Sequence, residues 1–411
     1  MAEQKRIVIV LFMLSLLFLS GDSRLRDQYR DDGRNSHFRV PNFIGLVAEH
    51  GRRAEWHNVT TEDGYILSIF RIVRNNNNYQ LGPPIYLQHG LTGTADMFAM
   101  VKPERNIAFL LADAGYDVWL GNLRGNAYSR KHKTLSTKDP KFWNFSMDEY
   151  AIKDLPAMMD YVLNVTNRSS LSYIGISLGT TISTIFLSNR TDYNSKLNLV
   201  VHFAPVTVFK SKTLTRQILL MIADLLEGPD KSFEILPRNR FVHSFVKLVC
   251  TASPLMRELC LFLVETFMGR DREQFDIPWD LVLKFALYFP AGCSAKVLFH
   301  YFQFLRTGEF GYFDHHDDSI NLQYYGKKRA PQYNLSNIVA PMVFFKALND
   351  PLSTLEDDVA LIKKLPPNTT LHYEIVNWKN FNHIDFILAK DVKKLVYDRL
   401  FEILSDINKF P

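Results

Sequence analysis

The sequence predicts an α/β protein with a mostly parallel central sheet, helices on both faces of that sheet, and an inserted helical cap. Three observations predict it. Short apolar, strand-like runs alternate with helical stretches, the order that builds a parallel sheet. One alternation, LSYIGISLGTTIS at 171–183, carries Gly175, Ile176, Ser177, Leu178 and Gly179, a GxSxG pentapeptide between a strand and a helix. Between Pro205 and about Ala330 the alternation stops, and the chain turns helical, dense in Leu, Phe, Ile and Met and interrupted by prolines.

In chain order, the first element is a hairpin. Residues 55–59 and 65–73 are β-capable runs joined by Thr61, Glu62, Asp63 and Gly64, which supply turn chemistry. A polar Asn run at 75–78 precedes the strand PIYLQ at 84–88, which ends at His89, Gly90 and Leu91. Residues 105–115 read as a helix and 116–120 as a buried strand. In 149–162, Tyr150, Leu155, Met158, Met159 and Val162 fall at helical spacing. After the pentapeptide come apolar strands at 197–204, 342–347 and 371–376, and a closing helix at 390–408. The implied organisation is a signal peptide at 1–23, a flexible lead-in at 24–40, a core built from 41–207 and 331–411, and a cap at 208–330.

The first 23 residues have the signal-peptide pattern: Lys5 and Arg6, an apolar run from Ile7 to Leu19, then small and polar residues. That run is shorter than a membrane span requires. An exported chain agrees with the N-x-S/T sequons at Asn58, Asn144, Asn164, Asn167, Asn189, Asn334 and Asn368. Asn58, Asn164, Asn334 and Asn368 are the candidate glycosylation sites, whereas Asn144, between Trp143 and Phe145, reads as too buried for modification. A net charge of +5 spread over 411 residues leaves no basic stripe for nucleic acid. Three cysteines do not make a disulfide scaffold; Cys250 and Cys260 could close a short loop, or all three could be buried thiols.

The chemistry centres on Ser177. In a GxSxG turn the serine sits in a strained backbone conformation between strand and helix, with glycines where neighbouring Cβ atoms would clash. A serine nucleophile needs a base, and the base needs an acid to hold its tautomer. On this fold the order is serine, acid, histidine, on loops at the carboxyl ends of strands. Asp350, in ALNDPLS after the strand at 342–347, is the acid; Asp357 and Asp358 are alternatives, placed on the solvated face of the next helix. His383, in NFNHIDF after the last strand, is the base; Asp385 close by is an alternative acid partner, read first as pinning the loop. His89, Gly90 and Leu91 stand where an oxyanion loop belongs, so the amides of Leu91 and Leu178 are the oxyanion donors. His315, His316, Asp317 and Asp318 are adjacent rather than spaced for a metal, and hydrolysis by this route needs no cofactor.

Longer blocks carry a resemblance. HNVTTEDGYILSIFRI, LQHGLTGTADMF, ADAGYDVWLGNLRGNAYSRKH, FWNFSMDEYAIKDLPAMMDYVL, the GxSxG segment, YFPAG, LND and FNHIDF occur in this order across roughly 40–400. In them the chain resembles the acid lipase family of gastric and lysosomal type, its insect members in particular. The resemblance implies an α/β-hydrolase core with a lid-bearing cap, hydrolysis of acylglycerols or sterol esters, and Ser177, Asp350 and His383 as the triad. It implies a Cys250–Cys260 bridge and a free Cys293. This chain departs from the family by having Ile176 and Leu178 where His and Gln usually flank the serine. The function expected is a secreted or lysosomal serine lipase, a monomer that meets a lipid droplet or membrane interface transiently. A lipid carrier on the same fold and a short-chain carboxylesterase are the alternatives.

Overall fold

The computed structural model of the protein describes residues 40–73, 82–226, 232–238, 244, 248, 250–275 and 279–407. The segment 1–23 expected as a signal peptide, nearly all of the expected lead-in, the Asn run at 75–78, and Phe241, Val242, Phe245 and Val246 of the expected cap lie outside the described residues.

Helix α1 (Phe43–Glu49), capped by the Asn42 side chain, leads into a hairpin of β1 (Arg53–Thr60) and β2 (Tyr65–Val73). The hairpin turn forms as its residues predict: Thr61 Oγ1 accepts the Tyr65 amide at 2.9 Å and donates to Asp63 Oδ1 at 2.6 Å. Next come β3 (Pro84–Gln88), α2 (Ile107–Asp113), β4 (Asp117–Gly121), the short β5 (Lys131–His132), α3 (Leu155–Thr166), β6 (Leu171–Ile176), α4 (Leu178–Asn189) and β7 (Leu197–Phe203). A helical stretch then carries α5 (Leu214–Leu226), β8 (Glu234–Ile235), α6 (Pro254–Met268), α7 (Trp279–Tyr288), β9 (Cys293–Ser294), α8 (Ala295–Thr307) and α9 (Asp318–Tyr325). The sheet resumes with β10 (Met342–Lys346), α10 (Leu355–Ile362), β11 (Thr370–Ile375), α11 (Asp385–Leu388) and α12 (Asp398–Ile407).

The main sheet has the order β1-β2-β4-β3-β6-β7-β10-β11, with β5 paired to β2. From β4 to β11 every pairing is parallel; only the β1, β2 and β5 side is antiparallel. The chain leaves β3 to one side for β4 and returns to its other side for β6, so the order reverses at β3, where ligands bind in open α/β sheets. The register aligns the carboxyl ends there, pairing Gln88 with Gly175, Ile176 with Phe203 and Phe203 with Phe345.

The continuous apolar runs follow from burial on both faces. Ile85, Leu87, Ile174, Val201 and Phe345 point into one core, completed by α1, α2 and α12. Tyr86, Trp119, Tyr173, Val200 and Phe344 alternate into the other, completed by α3 and α4. Ile218, Ile222, Phe267, Phe299 and Phe302 form a third cluster among the helices between β7 and β10. The Cys250–Cys260 disulfide is present, and Cys293 is a buried free thiol whose pKa burial raises. Among the described residues no helix is long and apolar enough to cross a membrane.

The helix expected at 149–162 departs from plain periodicity. Residues Tyr150–Asp154 form a π-helical turn before α3. Pro156 has no amide to donate one turn back, and Asp154 is held by Arg124, whose backbone amide and Nε both reach its carboxylate, at 3.0 and 2.7 Å. A widened turn accommodates both. Arg124 also spans to Asp63 at 2.6 Å and ties this turn to the hairpin.

Candidate active site

Ser177 lies between β6 and α4 with φ 54° and ψ −119°. A non-glycine residue at positive φ is held there only by its surroundings, at a cost of roughly 1–3 kcal/mol. The surroundings are close. A Cβ added at Gly175 would stand 2.7 Å from the Gly179 carbonyl carbon, and one at Gly179 would stand 2.7 Å from Gln88 O at the end of β3. The two glycines therefore let strand, turn and helix touch, and the Ser177 amide donates to Phe203 O at 3.1 Å. Leu178 opens α4, so its amide has no acceptor within the helix.

The β3 loop closes on the serine from the other side. A Cβ added at Gly90 would approach Ser177 Cβ to 3.2 Å and Oγ to 3.6 Å. His89 shapes this loop. Its Nε2 accepts from the Leu123 amide and from Asn126 Nδ2 at 3.3 and 3.2 Å, which assigns the ring proton to Nδ1, donating to Gly90 O at 2.8 Å. Burial, against the opposing pull of the Gly90 carbonyl, lowers the His89 pKa to about 4 and keeps the ring neutral. Leu91 is half-buried and packs against both the sheet core and the α5–α8 cluster.

His383 and Asp350 meet across the loops after β11 and β10: His383 Nδ1 is 2.7 Å from Asp350 Oδ2. The other oxygen of Asp350 accepts the Leu352 and Ser353 amides at 2.9 and 3.1 Å. Burial would raise the Asp350 pKa, but the attraction of His383 and its hydrogen bond, with Lys346 behind, hold it below the usual carboxylate range. Lys346 is buried and donates to Ser353 O and Oγ at 2.6 and 2.8 Å, which braces the acid loop from below. The Asn382 amide donates to Asp385 Oδ2 at 2.8 Å, so Asp385 does pin the histidine loop.

Two expectations are corrected. Asp357 and Asp358 are not on a solvated face but 3% and 2% exposed. Asp357 is paired with Arg216 of α5, and Asp358 lies 3.5 Å from Lys346 Nζ and accepts from Tyr373 Oη at 3.0 Å. Asn144 is exposed, not buried, and accepts from Lys296 Nζ at 2.8 Å. The other candidate sequons at Asn58, Asn164, Asn334 and Asn368 are exposed as well. Among the described residues no three His, Cys, Asp or Glu side chains converge for a metal.

Sequence reasoning missed Lys346 with Ser353, and a backbone strip after α6. The Met268 carbonyl accepts the His383 amide at 3.0 Å, Gly269 O accepts from Asn382 Nδ2 at 3.2 Å, and Arg270 O accepts from Asn349 Nδ2 at 2.8 Å. No local signal marks it, apart from Gly269 breaking an apolar helix.

Residues 83–387 match a family model described as the alpha/beta hydrolase fold, and residues 43–102 match one described as a partial alpha/beta-hydrolase lipase region. Lipase 1 of Drosophila melanogaster is 36% identical over 88% of this chain and 79% of its own length. The chain belongs to the lipases of the α/β-hydrolase fold. The gastric triacylglycerol lipase of Bos taurus is 34% identical to this lipase-family chain over 90% of it and 92% of the bovine protein. Among solved structures, a soluble variant of monoglyceride lipase from Saccharomyces cerevisiae shares the fold with a TM-score of 0.51 at 12% identity, covering 86% of this chain and 94% of that one. The family expected from the sequence blocks is thus the family found, and as a member of it the chain is an ester hydrolase.

Proposed function

We propose that this lipase-family protein hydrolyses acylglycerols or sterol esters through an acyl-enzyme formed on Ser177, with His383 as base and Asp350 as the acid partner. The observation that carries the assignment is the 2.7 Å bond between His383 Nδ1 and Asp350 Oδ2, on the loop edge where Ser177 is held at φ 54°. Asp350 keeps the proton on Nδ1, which leaves Nε2 to take the Ser177 proton. Ser177 Oγ then bonds to the ester carbonyl carbon, and the carbonyl oxygen becomes an oxyanion facing the Leu91 and Leu178 amides. Each such donor contributes on the order of 3 kcal/mol to the transition state. Collapse breaks the bond to the alcohol, which leaves with the proton from His383. Water, deprotonated by the same imidazole, repeats the sequence on the acyl-enzyme and releases the fatty acid.

The segment 208–330 is the cap in this reading. Its apolar exposure supports a lipid interface: α5 buries Ile218 and Ile222 while Leu214, Met221 and Leu225 stay exposed, and on α6 Leu255, Phe262 and Val264 do the same. An exported protein, secreted to a lumen or resident in the lysosome, is supported by the exposed sequons and the disulfide. The test is turnover on p-nitrophenyl esters of increasing chain length, beside Ser177→Ala. Long-chain preference lost in the variant is the expected result. Stoichiometric lipid binding without turnover, or activity on short chains alone, would overturn it.

A further inference from the structure

Two buried carboxyl groups outside the triad each lack one hydrogen-bond partner. Asp271, in the strip after α6, is 3% exposed, and Asp385, at the start of α11, is 0% exposed. Asp271 Oδ1 accepts the Gln274 amide at 3.2 Å and Asp385 Oδ2 accepts the Asn382 amide at 2.8 Å. Asp271 Oδ2 and Asp385 Oδ1 are both buried without a donor. Two orphaned acceptors on adjacent carboxyl groups are satisfied together by one proton between them, and leaving both ionised would bury two like charges. Burial, opposed by the Asn382 amide and reinforced by Asp271, pushes the Asp385 carboxyl up to about 8.

The pair closes a row of contacts. Met268 O, Gly269 O and Arg270 O bond in turn to His383 N, Asn382 Nδ2 and Asn349 Nδ2, and Asp271 then meets Asp385. Those partners flank His383 and Asp350. The strip fits tightly: Gly269 has φ +94°, and a Cβ there would stand 2.1 Å from Asn349 O. A cavity of about 190 Å³ borders the strip, lined in part by Leu261, Val264, Phe275 and Ile384. The charged groups around the pair are engaged elsewhere: Arg272 bonds Glu265 at 2.7 Å and Glu258 at 3.0 Å, and Asp391 accepts from Gln274 Nε2 at 3.0 Å. Arg257 lines the same cavity.

We propose that Asp271 and Asp385 share a proton that clasps the strip after α6 to the histidine loop, making them positioning residues for His383 that release it as pH rises. This rests on His383 being the base. Below the pKa of the clasp, Asp385 Oδ1 donates to Asp271 Oδ2. Above it, two buried carboxylates repel, the strip lifts, and the Met268 O contact to the His383 amide loosens.

The test pairs a spectroscopic and a kinetic readout on the full chain. At pH 6.5 the wild type should show the infrared carbonyl stretch of a protonated carboxyl that Asp385→Asn lacks. Asp271→Asn, whose amide donates to Asp385 at any pH, should move the alkaline limb of kcat/KM upward by at least one pH unit, whereas Asp271→Ala should lower activity without that shift. Identical infrared spectra, or an Asp271→Asn profile superimposable on the wild type after scaling, overturns the clasp. The infrared band does not depend on turnover, so loss of the proposed triad and loss of the clasp are told apart.

Discussion

Replacing Asp350 by Asn tests the proposed triad with little change of shape. The Asn carbonyl oxygen can keep the Leu352 and Ser353 amides that Asp350 Oδ1 holds at 2.9 and 3.1 Å. The Asn amide nitrogen then faces His383 Nδ1, where a carboxylate oxygen now accepts at 2.7 Å. A donor in that place forces Nδ1 to accept, so the ring proton moves to Nε2, the atom that must be free to take the serine proton. The variant also loses the negative charge opposite the imidazolium. A tautomer reversal of this kind in a serine triad lowers kcat by about 10⁴, or roughly 5.4 kcal/mol of barrier. The assay is kcat on a soluble p-nitrophenyl ester, with circular dichroism to show the fold intact. Asp357→Asn and Asp358→Asn are the controls: their partners are Arg216 and Lys346, so they should lower Tm yet keep kcat within about tenfold. Asp350 is not the acid partner of His383 if Asp350→Asn stays within tenfold of the wild type, or if Asp358→Asn falls as far.

Gly179→Ala drives a methyl group to 2.7 Å from Gln88 O, a backbone atom that cannot yield cheaply, and should destabilise the fold by about 1–3 kcal/mol, read as a lower Tm. Asp357→Ala strands the buried Arg216 guanidinium and should lower the unfolding free energy by about 3–5 kcal/mol in urea titrations, while a double change of both residues to apolar side chains recovers much of it. Breaking the Cys250–Cys260 bridge by Cys260→Ser removes a crosslink between residues 10 apart in sequence, worth about 3 kcal/mol by chain entropy, and should show as faster proteolysis within 244–268.

The sheet, and the loops that carry the proposed serine, acid and histidine, were legible because both are carried locally. The inner strands β3, β4, β6, β7 and β10 are runs of side chains buried on two faces, and Ser177 and Asp350 fall in turns soon after such runs, β6 and β10. What escaped depends on partners far along the chain. Asp357 and Asp358 sit in the charged first turn of α10, which reads as solvated until Arg216 and Lys346 are brought to them across the fold. Asn144 reads as buried because Trp143 and Phe145 are, yet the short 3₁₀ turn at Pro140–Trp143 ends there and aims the side chain outward. Ile176 and Leu178, where the family resemblance leads one to expect polar neighbours, are buried in opposite sheet cores, so their apolar character is accounted for by packing.

Buried titratable groups of opposite sign offset one another on the acid side. Burial lowers His89 to about 4, His202 to about 3 and His300 to about 4, the Gly90 and Gly311 carbonyls opposing the first and last. Each of these rings is neutral in the folded state at pH 5 and protonated in the unfolded chain, so each makes folding less favourable as pH falls below about 6.5. Burial raises Asp148 to about 7, helped by Glu149 and opposed by its bond from Tyr333, and raises Asp385 to about 8. Those two carboxyls hold protons when folded and release them when unfolded at pH 5, so they stabilise the fold as pH falls through about 8 and 7. A double Asp148→Asn, Asp385→Asn variant removes the offset while every other titrating group stays common to both chains. Its unfolding free energy in urea, measured from pH 6 to 5, should drop more steeply than that of the wild type by about 2.7 kcal/mol per pH unit. Parallel slopes would show that these carboxyls are ionised in the fold, and the offset, with the Asp271–Asp385 clasp, would have to be abandoned.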